Sequence, residues 1–229
     1  MSRVILKISG EALKDNYSNV SKDKLKVILK TINLLKDKHQ IGIVVGGGNF
    51  FRGREHTDMN KVTADTIGML GTIMNALYIK DYLENNGLRV VVSTPFDFPE
   101  LLDNHNNESL INKYDNGEII IFGGGIGKSG FSTDSGTILA SEILQTDVIV
   151  KMTNVNGVYD SDPKVNKHAR KYDNLTYEEV LKNNLKVMDL YAIEKCKESN
   201  IKILVINFDD YDKIDDCLNG SKCGTIIGG

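Results

Sequence analysis

A three-layer αβα sandwich around a mainly parallel open sheet is the fold this sequence predicts. Two patterns point to it. Short β-branched runs alternate with helical runs along the chain, and the strand-like runs are short and mainly apolar, as strands covered by helices on both faces are. A chain of 229 residues also suffices for a substantial core, since folding at this size hides roughly 70% of the unfolded surface.

The first strand falls at residues 3–8 (RVILKI). Leu25, Ile28, Leu29, Ile32 and Leu35 then recur at the spacing of one helix face, with lysines on the other. Residues 41–45 form a second strand that stops at Gly46. A long helix over 62–83 is apolar almost all round between Ile67 and Leu77, which predicts burial. Its polar exceptions Asp65, Thr72 and Asn75 need reasons, and its apolar surface exceeds what a monomer readily hides. Strands at 89–93 and 118–122 follow, and a polar stretch at 104–117 separates two βα groups. The fourth strand ends in Gly123-Gly124-Gly125. A helix opens near Thr133, Asp134 and Ser135, three good capping residues. A fifth strand covers 147–151, and 164–173 reads as a polar loop. Helices over 176–183 and 190–199, a strand over 201–208, a helix over 211–218 and a short strand over 225–227 complete the order. Three prolines, no repeat and no proline- or serine-rich linker predict one continuous domain, 1–229.

Composition narrows the function classes. A net charge of −3 argues against a general nucleic-acid binder, and no apolar run approaches the roughly 18 residues of a membrane span. The chain enters a strand at once, so no targeting peptide and a cytoplasmic location are expected. Cys196, Cys217 and Cys223 are an odd set without CxxC spacing, which points away from a disulfide scaffold or zinc ribbon and toward a reducing compartment.

The chemistry lies where the strands end. In an open parallel sheet, ligands bind beyond the carboxyl ends of the strands. Four strands there run into Lys7-Ile8-Ser9-Gly10, Gly46-Gly47-Gly48-Asn49, Gly123-Gly124-Gly125-Ile126-Gly127 and Lys151-Met152-Thr153-Asn154. Glycine lets backbone N–H groups converge on phosphate oxygens, and a helix N-terminus behind such a loop adds attraction for an anion. With Lys7 and Lys151 aimed at the same rim, the arrangement suits phosphoryl transfer, which is mostly positioning and charge neutralisation. Gly125-Ile126-Gly127-Lys128-Ser129 imitates the end of a P-loop, but that pattern needs glycine at 122, where Phe122 stands. The four histidines fit no zinc spacing, so no dedicated metal site is expected; magnesium carried by a nucleotide fits better.

The same residues resemble the bacterial uridylate kinase family, within the amino acid kinase superfamily, over nearly the whole chain. Leu6-Lys7-Ile8-Ser9-Gly10-Glu11-Ala12-Leu13 is similar to its opening motif and Val45 to Gly53 to its second. Met59-Asn60, Ala64-Asp65, Gly68-Met69-Leu70 and Met74-Asn75 follow its long helix. Phe131 to Ser135 resembles its phosphate-side loop, Asn156 to Tyr159 with Asp162-Pro163 its adenine-side hairpin, and Leu185 to Leu190 its last motif. The resemblance implies transfer of the γ-phosphoryl group of MgATP to UMP, in pyrimidine nucleotide (CTP) synthesis. It implies Lys7, Asp134, Lys151 and Asp189 as catalytic residues. ATP would be held by Lys7, Ile8, Ser9, Gly10, Gly48, Arg52, Thr153, Asn154, Tyr159 and Asp162, mainly in the C-terminal part. UMP would be held, mainly in the N-terminal part, by Gly47, Asp65, Ile126, Gly127, Lys128, Ser129, Gly130, Phe131, Ser132 and Thr133. A homohexamer and UTP inhibition are further implications.

Each assignment has a plainer counterpart. Arg52, one of only five arginines, offers a bidentate fork for phosphate or is a surface residue. Asp65 can accept from ribose hydroxyls or sit at a helix start; Asp134 can orient the two lysines or cap a helix; Tyr159 can lie on adenine or pack on the sheet. Three departures stand out. The segment from Lys14 to Ser18 lacks the glycine-containing stretch that many members carry near a GTP effector site, Ile126, Lys128, Ser129 and Gly130 replace residues common in the uridine-side loop, and Thr94 to Pro99 is atypical and is given no role. Two other activities remain compatible with the residues: a relative phosphorylating a carboxylate, carbamate or small alcohol, and a catalytically silent nucleotide sensor.

Overall fold

The computed structural model describes residues 1–98, 102, 105–163 and 165–228, with Arg54 described by its backbone alone. Pro99, Asn104 and Lys164, which bound three of the segments above, lie outside the described residues. In chain order the strands are β1 (Ser2–Ile8), β2 (His39–Val45), β3 (Val90–Ser93), β4 (Ile119–Phe122), β5 (Val148–Thr153), β6 (Val158–Tyr159), β7 (Lys171–Tyr172), β8 (Asn174–Leu175), β9 (Lys202–Asn207) and β10 (Thr225–Ile227). The helices are α1 (Lys22–Leu35), α2 (Lys61–Glu84), α3 (Asn107–Asp115), α4 (Thr133–Leu144), α5 (Tyr177–Lys182), α6 (Leu190–Glu198) and α7 (Ile214–Leu218).

Eight strands make one sheet in the order β3-β4-β2-β1-β5-β9-β10-β8, parallel everywhere except where β10 meets β9. Period-two alternation sorts the side chains into two cores. Val4, Leu6 and Ile8 of β1 join Ile43, Val150 and Leu204 on the face covered by α1 and α2. Ile5, Val44, Ile149 and Ile203 face the other way, against α3, α4, α5 and α6. The predicted three layers, one sheet between two helical layers, are therefore present. Among the described residues no helix is long and apolar enough to cross a membrane.

Four expectations change. α2 is not buried all round: Val62, Leu70, Met74 and Tyr78 stand 61%, 44%, 44% and 52% exposed. Leu70, Met74 and Tyr78, four residues apart, make one outward stripe of the helix, and Val62 is exposed at its start. The polar stretch before β4 contains α3, hidden from a periodicity reading because its inward face is little more than Leu110 and Tyr114. Asn106 caps it by accepting from the Ser109 N–H at 2.8 Å. The polar loop after residue 164 ends in strands: β7 pairs antiparallel with β6, and β8 extends the main sheet beside β10. Last, Cys217 and Cys223 form a disulfide, their Cα atoms 5.6 Å apart, where the turn between α7 and β10 brings them together; Cys196 is buried and free.

Tyr114 ties α3 to the sheet. Its ring is fully buried and its hydroxyl donates to the Gln40 carbonyl at 2.8 Å. Tyr114→Phe leaves that partly buried carbonyl short of a donor and is expected to cost about 1–2 kcal/mol in urea unfolding. Tyr114→Ala, which opens a cavity, should cost about 3–5 kcal/mol. Unfolding of Tyr114→Phe at the wild-type midpoint would show the hydroxyl to be idle.

Candidate active site

The parallel register sets the site. Lys7 on β1 lies directly opposite Lys151 on β5, and alternation sends both side chains to the face covered by α4. Two ammonium groups from adjacent strands repel each other unless an anion intervenes. The first turn of α4 supplies one: Asp134 Oδ1 is 2.7 Å from Lys7 Nζ, and its Oδ2 is 3.8 Å from Lys151 Nζ. The three side chains are only 10–18% exposed. Lys151 also donates to the Val187 carbonyl.

Burial alone would raise the Asp134 pKa. The charges of Lys7 and Lys151, the hydrogen bond from Lys7 and the backbone N–H of Asp189 outweigh it, so the carboxyl is held below its usual range. Lys151 moves the other way. Burial first, and the neighbouring Lys7 charge second, push its pKa down to about 8, with Asp134 and Asp189 opposing.

The turn that presents Asp134 is itself held in place. Ser132 caps α4, its hydroxyl oxygen accepting from the Asp134 N–H at 3.0 Å. Asp189, at the head of α6, accepts from Ser132 Oγ at 2.5 Å, Ser135 Oγ at 3.3 Å and the Ala192 N–H at 2.7 Å. Asp189 thus stitches two helix N-termini together, and its carboxylate orients the rim from behind.

The glycine loops come together by backbone contact. A Cβ on Gly10 would lie 2.6 Å from the Gly48 nitrogen, and one on Gly47 would lie 2.6 Å from the Gly68 carbonyl, so neither position accepts a side chain. The polar exceptions on α2 now have reasons. Asn75 and Asn49 exchange amide hydrogen bonds at 2.8 and 2.9 Å, and Asn75 donates to the Gly46 carbonyl at 2.7 Å. Thr72 Oγ1 accepts from the Gly124 N–H at 2.6 Å. Asp65 accepts from Ser129 Oγ at 2.5 Å and the Gly130 N–H at 2.8 Å, which fasten the loop before α4; these bonds lower its pKa. α2 thereby joins the second and fourth strand exits.

The result is a cleft of about 550 Å³. Of the predicted residues, Lys7, Ser9, Gly10, Gly47, Gly48, Arg52, Asp65, Ile126, Lys128, Phe131, Ser132 and Thr133 line it. Ile8 is buried in the core instead, because alternation turns it to the opposite face from Lys7. Gly127, Ser129 and Gly130 belong to the loop fastened on Asp65. Thr153, Asn154, Tyr159 and Asp162 follow the β5 exit and are not among the residues lining this cleft. There the Tyr159 hydroxyl donates to Asn156 Oδ1 at 2.6 Å, and the Asp162 carbonyl accepts from the Asn166 N–H at 2.8 Å. α4 begins at Thr133 rather than at Lys128, so the loop is no P-loop. Among the described residues no group of three or more His, Cys, Asp and Glu gathers that could hold a metal ion.

Residue-type reasoning missed three participants. Glu11 forms an ion pair with Arg52 at 2.6 Å, a contact across 41 positions that no local pattern announces. The Val187 carbonyl is backbone and carries no residue signature. Asn49 stood in the quoted glycine segment without a role; its partner on α2 was the available signal.

The amino acid kinase family model matches residues 2–207. The uridylate kinase of Fervidobacterium nodosum is 38% identical over 98% of this chain and 97% of its own length. That of Thermosipho melanesiensis is 40% identical over the same shares. The crystal structure of UMP kinase from Ureaplasma parvum superposes with a TM-score of 0.93 at 33% identity, covering 100% of this chain and 99% of that one.

Lys151 gives a pH prediction. Its pKa is lower folded, about 8, than unfolded, near 10.5, so between these values the unfolded chain holds a proton that the folded one lacks. Raising pH through that window therefore stabilises the fold through this group. Wild-type stability, compared with Lys151→Met, should gain up to about 3 kcal/mol from pH 8 to 10.5. Parallel pH curves for the two proteins would refute the depressed value.

Proposed function

The chain belongs to the amino acid kinase family, and from that premise we propose that it is a uridylate kinase, transferring the γ-phosphoryl group of MgATP to UMP to give UDP and ADP. The observation that carries this reading is the gathering of Lys7, paired to Asp134, with Arg52 and Asp65 around one cleft, in a chain similar over nearly its full length to uridylate kinases. The relatives named above are uridylate kinases, which favours UMP over a carboxylate, carbamate or alcohol as acceptor.

The geometry suits the reaction. The nucleophile would be a phosphate oxygen of UMP. A phosphate monoester is already mostly ionised at neutral pH, its second pKa being about 6, so the step needs no general base. What it needs is positive charge where two polyanions meet. Lys7 and Lys151 supply two cations, with Asp134 paired to both and Asp189 adding its charge at Lys151. We assign Lys7 to neutralising the migrating phosphoryl group and Asp134 to orienting the lysines, with Asp189 positioning Asp134. Arg52 would hold phosphate oxygens. Asp65 would take ribose hydroxyls in exchange for Ser129 and Gly130, and the loop from Ile126 to Thr133 would close over UMP. The β5 exit and the β6–β7 hairpin, in the C-terminal part, would hold the adenine end of ATP. Magnesium would arrive with ATP as part of the substrate.

The exposed stripe on α2 supports assembly into a homo-oligomer, and a hexamer is the state we propose. Inhibition by UTP and a place in CTP synthesis complete the reading.

An acceptor panel of UMP, CMP, carbamate, glutamate and aspartate with MgATP should give the highest kcat/KM with UMP. Better turnover of any non-nucleotide acceptor would reject the assignment. Lys7→Ala should lower kcat by about two to four orders of magnitude in a folded protein, because the lost interaction belongs to the transition state; an unchanged kcat would remove Lys7 from the mechanism. Asp65→Asn should weaken UMP binding far more than ATP binding, as separate titrations would show, and equal losses would contradict the mapping.

A further inference from the structure

The Arg52 guanidinium, which the proposed function gives to phosphate, is already engaged. Its Nη2 lies 2.6 Å from Glu11 Oε1, and its Nε donates to the same oxygen at 3.0 Å. Nη1 reaches Glu55 at 3.1 Å. The other Glu11 oxygen, Oε2, is 2.7 Å from Lys14 Nζ. Burial would raise the Glu11 pKa, but the hydrogen bonds and charges of Lys14 and Arg52 hold it below its usual range. Glu11 is therefore an anion at neutral pH.

The place of this ion pair matters. Glu11, Gly48, Phe51 and Arg52 line the 550 Å³ cleft. They also line a second hollow of about 430 Å³, on which Lys14 and Glu55 border. The Glu11–Arg52 pair stands between the two. Its carboxylate is anchored on the far side by Lys14, and its guanidinium borders the cleft beside Lys7.

We propose that Glu11 occupies Arg52 in the ligand-free protein as an internal substitute for a nucleotide phosphate, and yields the guanidinium to the incoming phosphate while its own charge stays paired with Lys14. This inference rests on the assignment of Arg52 to phosphate. Two features make the exchange favourable. Two Arg52 N–H groups now converge on one oxygen, whereas a phosphate offers each N–H an oxygen of its own, the better bidentate fit. The released carboxylate is not left orphaned, because Oε2 keeps Lys14. Arg52 and Glu11 are 30% and 23% exposed, so water can accompany the change. Glu11 thereby acts as a positioning residue. It holds a flexible arginine ready in the empty cleft and sets a threshold that a carboxylate-bearing metabolite, with weaker charge, meets less well than a phosphate.

The experiment is a double-mutant cycle on nucleotide binding. MgATP and UMP are titrated separately, by calorimetry, into the wild-type protein, Glu11→Gln, Arg52→Ala and the double variant. The nucleotide whose affinity falls in Arg52→Ala should bind Glu11→Gln about two- to fivefold more tightly than wild type, the effect of a partly exposed ion pair. Its KM should fall by the same factor, and the gain should vanish in the Arg52→Ala background. Weaker or unchanged binding in Glu11→Gln, with Arg52→Ala impaired, would overturn the proposal alone. A gain that persists without Arg52 would also overturn it, as a bulk charge effect. If Arg52→Ala binds both nucleotides normally, the assignment of Arg52 to phosphate fails, and this inference with it.

Discussion

One carboxylate shared by two lysines governs the architecture of the rim. β1 and β5 are hydrogen-bonded neighbours, and their register leaves Lys7 and Lys151 side by side in a place largely shut off from water. Burial first, and repulsion by Lys7 second, depress the pKa of Lys151. Asp134 relieves that repulsion only because α4 begins where it does. That start depends on the Ser132 cap, and the cap depends on Asp189 at the head of α6. A chain of contacts from one helix terminus to another thus ends at the ammonium groups. Asp189 adds its own charge at Lys151, so the two cations are answered by two carboxylates held at helix N-termini.

Backbone proximity is the second constraint. The first two strand exits meet at Gly10, and the second meets α2 at Gly47, at distances that leave no room for a Cβ, so the cleft surface there is main chain. The buried Asn49–Asn75 exchange satisfies the amides that this close approach would otherwise strand. A paired polar contact in the core costs little once satisfied, yet fixes the helix against the loop in one register. Removing one partner would strand the other.

Much of this was legible in the sequence, for physical reasons. The inner strands show unbroken apolar runs because both their faces are covered. α1 shows its stripe because only one face is. The rim glycines and Lys7 stood out because they follow strand ends. Legibility failed where burial needs few residues or where the partner is remote. α3 docks through little beyond Leu110 and Tyr114, which periodicity cannot separate from a loop. β7 and β8 are two residues each and exist through pairing rather than composition. The Arg52–Glu11 and Ser132–Asp189 contacts join residues 41 and 57 positions apart, and the Val187 carbonyl has no residue signature. α2 misled for a different reason: its apolar excess was visible, but which part of it faces outward is decided by the sheet it packs on.

That helix has a mechanical consequence. Asp65, Thr72 and Asn75 on its inner side fasten the loop before α4, the Gly124 turn and the Gly46 turn, while Leu70, Met74 and Tyr78 on its outer side are exposed. Its 24 residues form a rod roughly 36 Å long, hydrogen-bonded along its length and stiff on the scale of side-chain contacts. All three anchor points of the cleft therefore sit on one continuous element whose opposite side is exposed.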